Sequence, residues 1–137
     1  MARIMAIDYG GKRCGIAVTD PLQIIARALD TISPEILMDY LEKYFSKEPV
    51  EALVVGEPFR HDGTHSEIEN QIAPFIEKFK EKFTHIPVYR VNEMFSSQNA
   101  MKSLIASGVK KKDRKNKALL DSTSATLILQ DYLENRI

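Results

Sequence analysis

The stretch from Arg3 to Asp20 restricts this chain more than any other. Ile4-Met5-Ala6-Ile7 is an apolar run of strand length, Gly10-Gly11 is a turn signal, and Cys14 to Val18 returns as a second apolar run. Strand, turn and strand at this spacing predict a hairpin, with the two glycines expected to supply φ > 0. Asp8 interrupts the pattern. It ends a run that reads as buried, where an unpaired carboxylate costs several kcal/mol or takes up a proton. Such a group needs a cation, a metal or a ring of donors. The plainer alternative is an Asx-type hydrogen bond that caps the turn.

The remaining chain alternates strand and helix signals. Ala26 to Ile32 is compatible with an edge strand. Ser33-Pro34-Glu35 starts a helix, and Leu37, Tyr40, Leu41 and Tyr44 at helical spacing predict an amphipathic helix over Pro34–Ser46. Val50 to Gly56 is nearly continuous in apolar residues, as a central parallel strand is. Glu57 to His65 is loop by its Pro and Gly content. Ser66 to Lys82 is a helix with Ile68, Ile72, Phe75, Ile76 and Phe79 on one face, and Pro74 as a possible bend. Ile86–Val91 is a strand closed by Asn92-Glu93-Met94-Phe95. A helix capped by Ser96 or Ser97 runs to Ser107, and a final helix covers Leu119–Glu134. The order predicts one α/β domain over residues 1–137, a mixed five-stranded sheet with helices on both faces, in the layout of the ribonuclease H-like fold.

Composition enters by what it excludes. Nineteen Lys plus Arg balance nineteen Asp plus Glu, so attraction to a polyanion must come from local clustering. Cys14 is the single cysteine, which excludes an internal disulfide and a multi-cysteine zinc site. His61 and His65 lack cysteine partners and read as surface loop residues. The chain enters a strand at once, without a signal-peptide pattern, and no apolar run approaches bilayer length. These features predict a cytoplasmic protein with no membrane association.

Three acids stand where packing alone would not put them. Asp8 ends the first strand, Glu93 follows the last, and Asp121 lies on the final helix, in line with Ala125, Ile128 and Tyr132 of its apolar stripe. Taken singly, Glu93 reads as a solvated loop acid, whereas the stripe points Asp121 toward the sheet near the helix start, with a cap or first-turn acid as the alternative. Together they would repel without a cation. Hard divalent ions take oxygen ligands, and two such ions about 3.5–4 Å apart suit phosphodiester hydrolysis. The segment Lys110–Lys117 supplies the opposite charge. Six of its eight residues are Lys or Arg. A charge run is commonly a solvated loop, but beside a carboxylate site it suits a polyanionic substrate.

Asp8-Tyr9-Gly10-Gly11-Lys12-Arg13-Cys14-Gly15-Ile16-Ala17-Val18-Thr19-Asp20 resembles the opening motif of the YqgF/RuvX family. Val55-Gly56-Glu57-Pro58 with Asp62-Gly63-Thr64 resembles its second motif, and Leu120 to Gln130 its last. The family is described both as Holliday-junction resolvases and as nucleases that mature the precursor of 16S rRNA. The resemblance implies a ribonuclease H-like hydrolase using Mg²⁺ or Mn²⁺, with Asp8, Glu93 and Asp121 as catalytic and metal-binding acids. Substrate contacts are expected from Lys12, Arg13, Ser96, Ser97, Lys110, Lys111, Lys112, Arg114, Lys115 and Lys117. Where the family has Asp-Glu-Arg before a Thr pair, this chain has Asn92-Glu93-Met94, then Phe95 and Ser96-Ser97.

The expected substrate is structured RNA at the 5′ end of the 16S rRNA precursor, with a four-way DNA junction as the alternative. The protein is expected as a monomer or homodimer. Two other classes compete. One is a non-catalytic nucleic-acid-binding module. The other is an actin-like ATPase, whose phosphate motif Asp8 to Gly11 also resembles, but which needs two such domains around a nucleotide.

Overall fold

Side-chain alternation along the first strand sorts the core into two layers. The computed structural model describes residues 2–58, 63, 64, 66–92 and 117–135, the side chains of 117–123 and 135 excepted. Its strands are β1 (Arg3–Tyr9), β2 (Cys14–Thr19), β3 (Ala26–Ile32), β4 (Val50–Glu57) and β5 (Val88–Asn92). Its helices are α1 (Leu37–Lys47), preceded by a 3₁₀ turn at Pro34–Ile36, α2 (Glu69–Lys82) and α3 (Lys117–Asn135). The sheet order is β3-β2-β1-β4-β5. β1 pairs antiparallel with β2 and parallel with β4, β2 pairs antiparallel with β3, and β5 extends the sheet parallel to β4. This is the mixed five-stranded α/β sheet of the ribonuclease H-like fold.

The two faces are packed differently. Met5 and Ile7 of β1 join Ile16, Leu53 and Val55 beneath α1 and α2, which contribute Leu37, Leu41, Ile72, Phe75 and Phe79. Phe79 is fully buried, with ring centroids 4.9 Å from Phe83 and 6.1 Å from Phe45. Ile4 and Ala6 face the other way, with Ala17, Ala52 and Val54, against Ala125, Ile128 and Leu129 of α3. Small side chains dominate this second layer, so α3 approaches the strands closely.

Most element boundaries match the sequence reading, and the departures have local causes. α2 starts at Glu69 rather than Ser66, because the chain first makes tight i→i+3 turns, the Glu69, Asn70 and Gln71 N–H groups donating to the Ser66, Glu67 and Ile68 carbonyls at 3.0, 3.0 and 2.9 Å. Pro74 lies within α2 on its exposed side, where the Asn70 carbonyl it leaves can meet water. Ser33 caps the 3₁₀ turn through the Glu35 N–H, and the α-helix proper begins only at Leu37. Asn92 belongs to β5, and Lys117 is the first residue of α3 rather than the last of a connector. The helix expected between Ser96 and Ser107 lies outside the described residues.

Tyr40 of α1 ties that helix to edge strand β3. Burial first, then the charge and hydrogen bond of Asp30, push its phenol up to about 12 from the ordinary value of 10.0. A phenol whose pKa is raised by folding contributes stability fully below the unfolded value, and that contribution is lost as pH rises through the folded value. Tyr40→Phe should therefore lower stability near neutral pH, by about 1 kcal/mol. It should also flatten the decline between about pH 10 and pH 12. Urea midpoints across that range test this, and parallel declines in both proteins would contradict it.

Candidate active site at the end of strand β1

Asp8 follows Ile4 and Ala6 on the face that α3 covers. It is half-buried. Its partner across the antiparallel pair is Gly15. On the other side, the parallel register of β1 and β4 runs through Ala6 and Val54 to Ile7 and Val55, so Gly56 comes next beside Asp8. A carboxylate in a covered face thus stands between two residues without side chains.

The direction of α3 brings its N-terminal turns to the same place. Leu133 and Glu134 share a shallow cavity with Ile24, Ile25 and Ala26 at the β2–β3 turn. That turn is at the Ile4 end of β1, where the Ile4 N–H donates to the Thr19 hydroxyl at 2.9 Å. Tyr132 stacks on Tyr89 near the start of β5, with ring centroids 5.4 Å apart. The helix therefore runs antiparallel to β1. Its core stripe steps from Leu129 to Ala125 and then to position 121, about 6 Å further along the axis. The covered face of β1 steps from Ala6 to Asp8, about 7 Å in the same direction. Residue 121 and Asp8 lie at one end of the sheet.

The turn after β1 carries Lys12, exposed, and Arg13, half-buried, at that end. Gly10 and Gly11 do not adopt positive φ; among the described residues only Gln23 and Gly63 do. Gly10 is required for a different reason: a Cβ there would meet the Arg13 carbonyl oxygen at 2.4 Å. The glycine of the second motif, Gly63, has φ of 90°. Asp20, the other acid of the opening motif, is a structural cap. The Ile25 N–H above all, with those of Ile24 and Leu22, holds its carboxyl below the usual range.

Glu93, Ser96, Ser97, Lys110, Lys111, Lys112, Arg114 and Lys115 lie outside the described residues, as do the side chains of Lys117 and Asp121. Among the described residues there is no group of three His, Cys, Asp or Glu able to hold a metal, and no helix long and apolar enough to cross a membrane.

One feature of this end went unread in the sequence. The Arg90 guanidinium donates to the Val55 and Gly56 carbonyls at 3.3 and 3.0 Å, and forks onto both carboxylate oxygens of Glu69 at 2.7 and 3.0 Å. An arginine inside a short strand run, Val88-Tyr89-Arg90-Val91, was the available signal.

A mixed five-stranded sheet in this order, with helices on both faces, places the chain in the ribonuclease H-like class of folds. The chain belongs to the RuvX family: a family model described as Holliday junction resolvase matches residues 2–135. It is 50% identical over 136 residues to a protein of Phocaeicola vulgatus named "Putative pre-16S rRNA nuclease", covering 99% of this chain and 98% of the relative. It is also 50% identical over 137 residues to a Flavobacterium psychrophilum protein of the same name, covering 100% of both. Among solved structures it is similar to RuvC of T. thermophilus in complex with a Holliday junction substrate, with a TM-score of 0.59 and 19% identity over 98% of each chain. At that identity the likeness concerns the fold.

The turn makes an asymmetric prediction. Gly10→Ala should destabilise by about 1–3 kcal/mol, because backbone must move to admit the methyl group. Gly11→Ala should stay within about 0.5 kcal/mol, since its nearest neighbour would be Ile68 Cδ1 at 3.8 Å. Equal shifts in denaturation midpoint would contradict the assignment of Gly10 to close approach.

Proposed function

We propose that this protein is a single-domain, divalent-metal-dependent nuclease that hydrolyses phosphodiester bonds near the 5′ end of the 16S rRNA precursor in the cytoplasm. The observation that carries this reading is Asp8: a half-buried carboxylate on a covered sheet face, flanked by Gly15 and Gly56, at the end toward which α3 directs residue 121. A half-buried carboxylate oxygen is a donor of the kind a hard cation such as Mg²⁺ or Mn²⁺ takes. Asp8, Glu93 and Asp121 would hold it. A cation so held supplies Lewis-acid polarisation of a phosphate oxygen and a nucleophilic water at neutral pH. Lys12 and Arg13 stand at the same end to receive phosphates. Ser96, Ser97 and the basic residues Lys110, Lys111, Lys112, Arg114, Lys115 and Lys117 extend that reception along the substrate backbone.

The names of the relatives support RNA as substrate. The description of the family model supports a second reading, cleavage of a four-way DNA junction. The two are separated by cleavage of matched structured-RNA and junction substrates with Mg²⁺ or Mn²⁺, together with the size of the active particle as monomer or homodimer.

Asp8→Asn should abolish cleavage with the fold intact. Asparagine is nearly the same shape but a poor ligand for a hard cation. Full activity in the purified variant would overturn the site.

Replacing Lys110, Lys111 and Lys112 together by Ala should weaken binding alike across sequences. It should also reduce the slope of log affinity against log salt by about 2–3. An unchanged slope would mean that these lysines contact no phosphate.

A further inference from the structure

We propose that Arg90 is a positioning residue of the nuclease, setting where the end of β4 stands beside Asp8 without itself touching substrate. The inference rests on the nuclease reading above and adds a residue to it. Arg90 pairs with Val55 in the β4–β5 register and so shares the face of α1 and α2, the reverse of the face that carries Asp8. Its donors are also committed. Nε and Nη2 reach the last carbonyls of the β4 apolar run, Val55 and Gly56, while Nη1 and Nη2 grip Glu69 in the first turn of α2. The two side chains are only 24% and 17% exposed.

The place of this contact gives it its role. β1 and β4 pair as far as Ile7 and Val55 and no further. Past that point Gly56 and Glu57 lose the support of β1, yet Gly56 borders Asp8. The connection that leaves Glu57 returns to the sheet at α2, and Glu69 is the first residue of that helix. One guanidinium thus fastens both ends of the connection, and the Ser66 N–H to Pro58 carbonyl bond adds a second tie at 3.3 Å. Ile68, between those two ties, lies over the turn that presents Lys12 and Arg13: a Cβ at Gly11 would stand 3.8 Å from its Cδ1. In the sheet, Gly56 and Glu57 pair with β5 alone, opposite Val91 and Asn92. Releasing the fork therefore loosens the α2 start and removes the side-chain bonds to the Val55 and Gly56 carbonyls. Small displacements of groups that orient a substrate are costly even when they lie away from the chemistry.

An ordinary structural ion pair would need only opposite charges. Arg90 needs a planar set of donors, because it serves two backbone carbonyls and a carboxylate at once. Arg90→Lys keeps the charge and loses the fork. Glu69→Gln keeps the shape and weakens the grip. The swap Arg90→Glu with Glu69→Arg restores opposite charges but aims a carboxylate at two carbonyl oxygens.

The test measures KM and kcat for a structured RNA hairpin with Mg²⁺. It also measures Kd for the same RNA in an Asp8→Asn background, where cleavage is removed. Arg90→Lys and Glu69→Gln should each raise KM and Kd, Arg90→Lys by about tenfold, with kcat at saturating RNA little changed. The swap should not recover either. Unchanged KM and Kd with a lowered melting temperature would overturn the inference, as would full recovery in the swap. If Arg90→Lys does not fold, Glu69→Gln gives the answer. If the parent protein cleaves neither RNA nor junction DNA, the nuclease reading fails, and the Kd comparison still decides whether Arg90 positions a nucleic-acid site.

Discussion

A carboxylate placed in the covered face of a sheet is the constraint around which the molecule is arranged. Ile4, Ala6 and Asp8 share one face of β1, and α3 lies over the first two of them. Burying that acid beneath the helix would be unfavourable without a counter-charge. Asp8 stands at the rim of the covered area, half-buried, with glycines at the adjacent positions of β2 and β4. The same position that makes the acid costly in a closed core makes it serviceable at the edge of one.

The contrast between the two layers follows from that arrangement. Beneath α1 and α2 the sheet presents Met, Ile, Leu and Val to a group of phenylalanines, and this side supplies most of the large buried side chains. Beneath α3 it presents Ala6, Ala17 and Ala52, which bring the helix near the strands and set its line across them. Because α3 runs antiparallel to β1, close packing of its C-terminal half over Ile4 and Ala6 carries its first turns toward Asp8. The positive end of the helix dipole lies there, which favours negative charge at the site. Arg90 secures the reverse side of the same sheet end, where β1 and β4 part.

Much of this was legible in the sequence. The runs Ile4–Ile7, Cys14–Val18 and Val50–Gly56 announced buried strands, and Ile68, Ile72, Phe75, Ile76 and Phe79 announced the inner face of α2. These patterns reflect burial, which local periodicity records directly. Other features depend on contacts distant in sequence, and periodicity does not record them. Gly10 was expected to be needed for positive φ, but its requirement comes from the Arg13 carbonyl beside it. Ser66 looked like the start of a helix, but the chain makes tight i→i+3 turns there and α2 begins only at Glu69. The Arg90 fork joins β5, β4 and α2, and no window of sequence contains all three. Asp8 and Asp121 were recognisable as acids among apolar neighbours. Their approach to one end of the sheet required the order β3-β2-β1-β4-β5 and the direction of α3.

Crystals of the protein soaked in Mn²⁺ and measured at a wavelength that reveals manganese give the most direct test of the Asp8 site. The expected result is an anomalous peak about 2 Å from an Asp8 carboxylate oxygen, with Asp121 and Glu93 oxygens completing its protein ligands. A map with no manganese at Asp8, or with Asp121 turned to solvent away from it, would contradict the site.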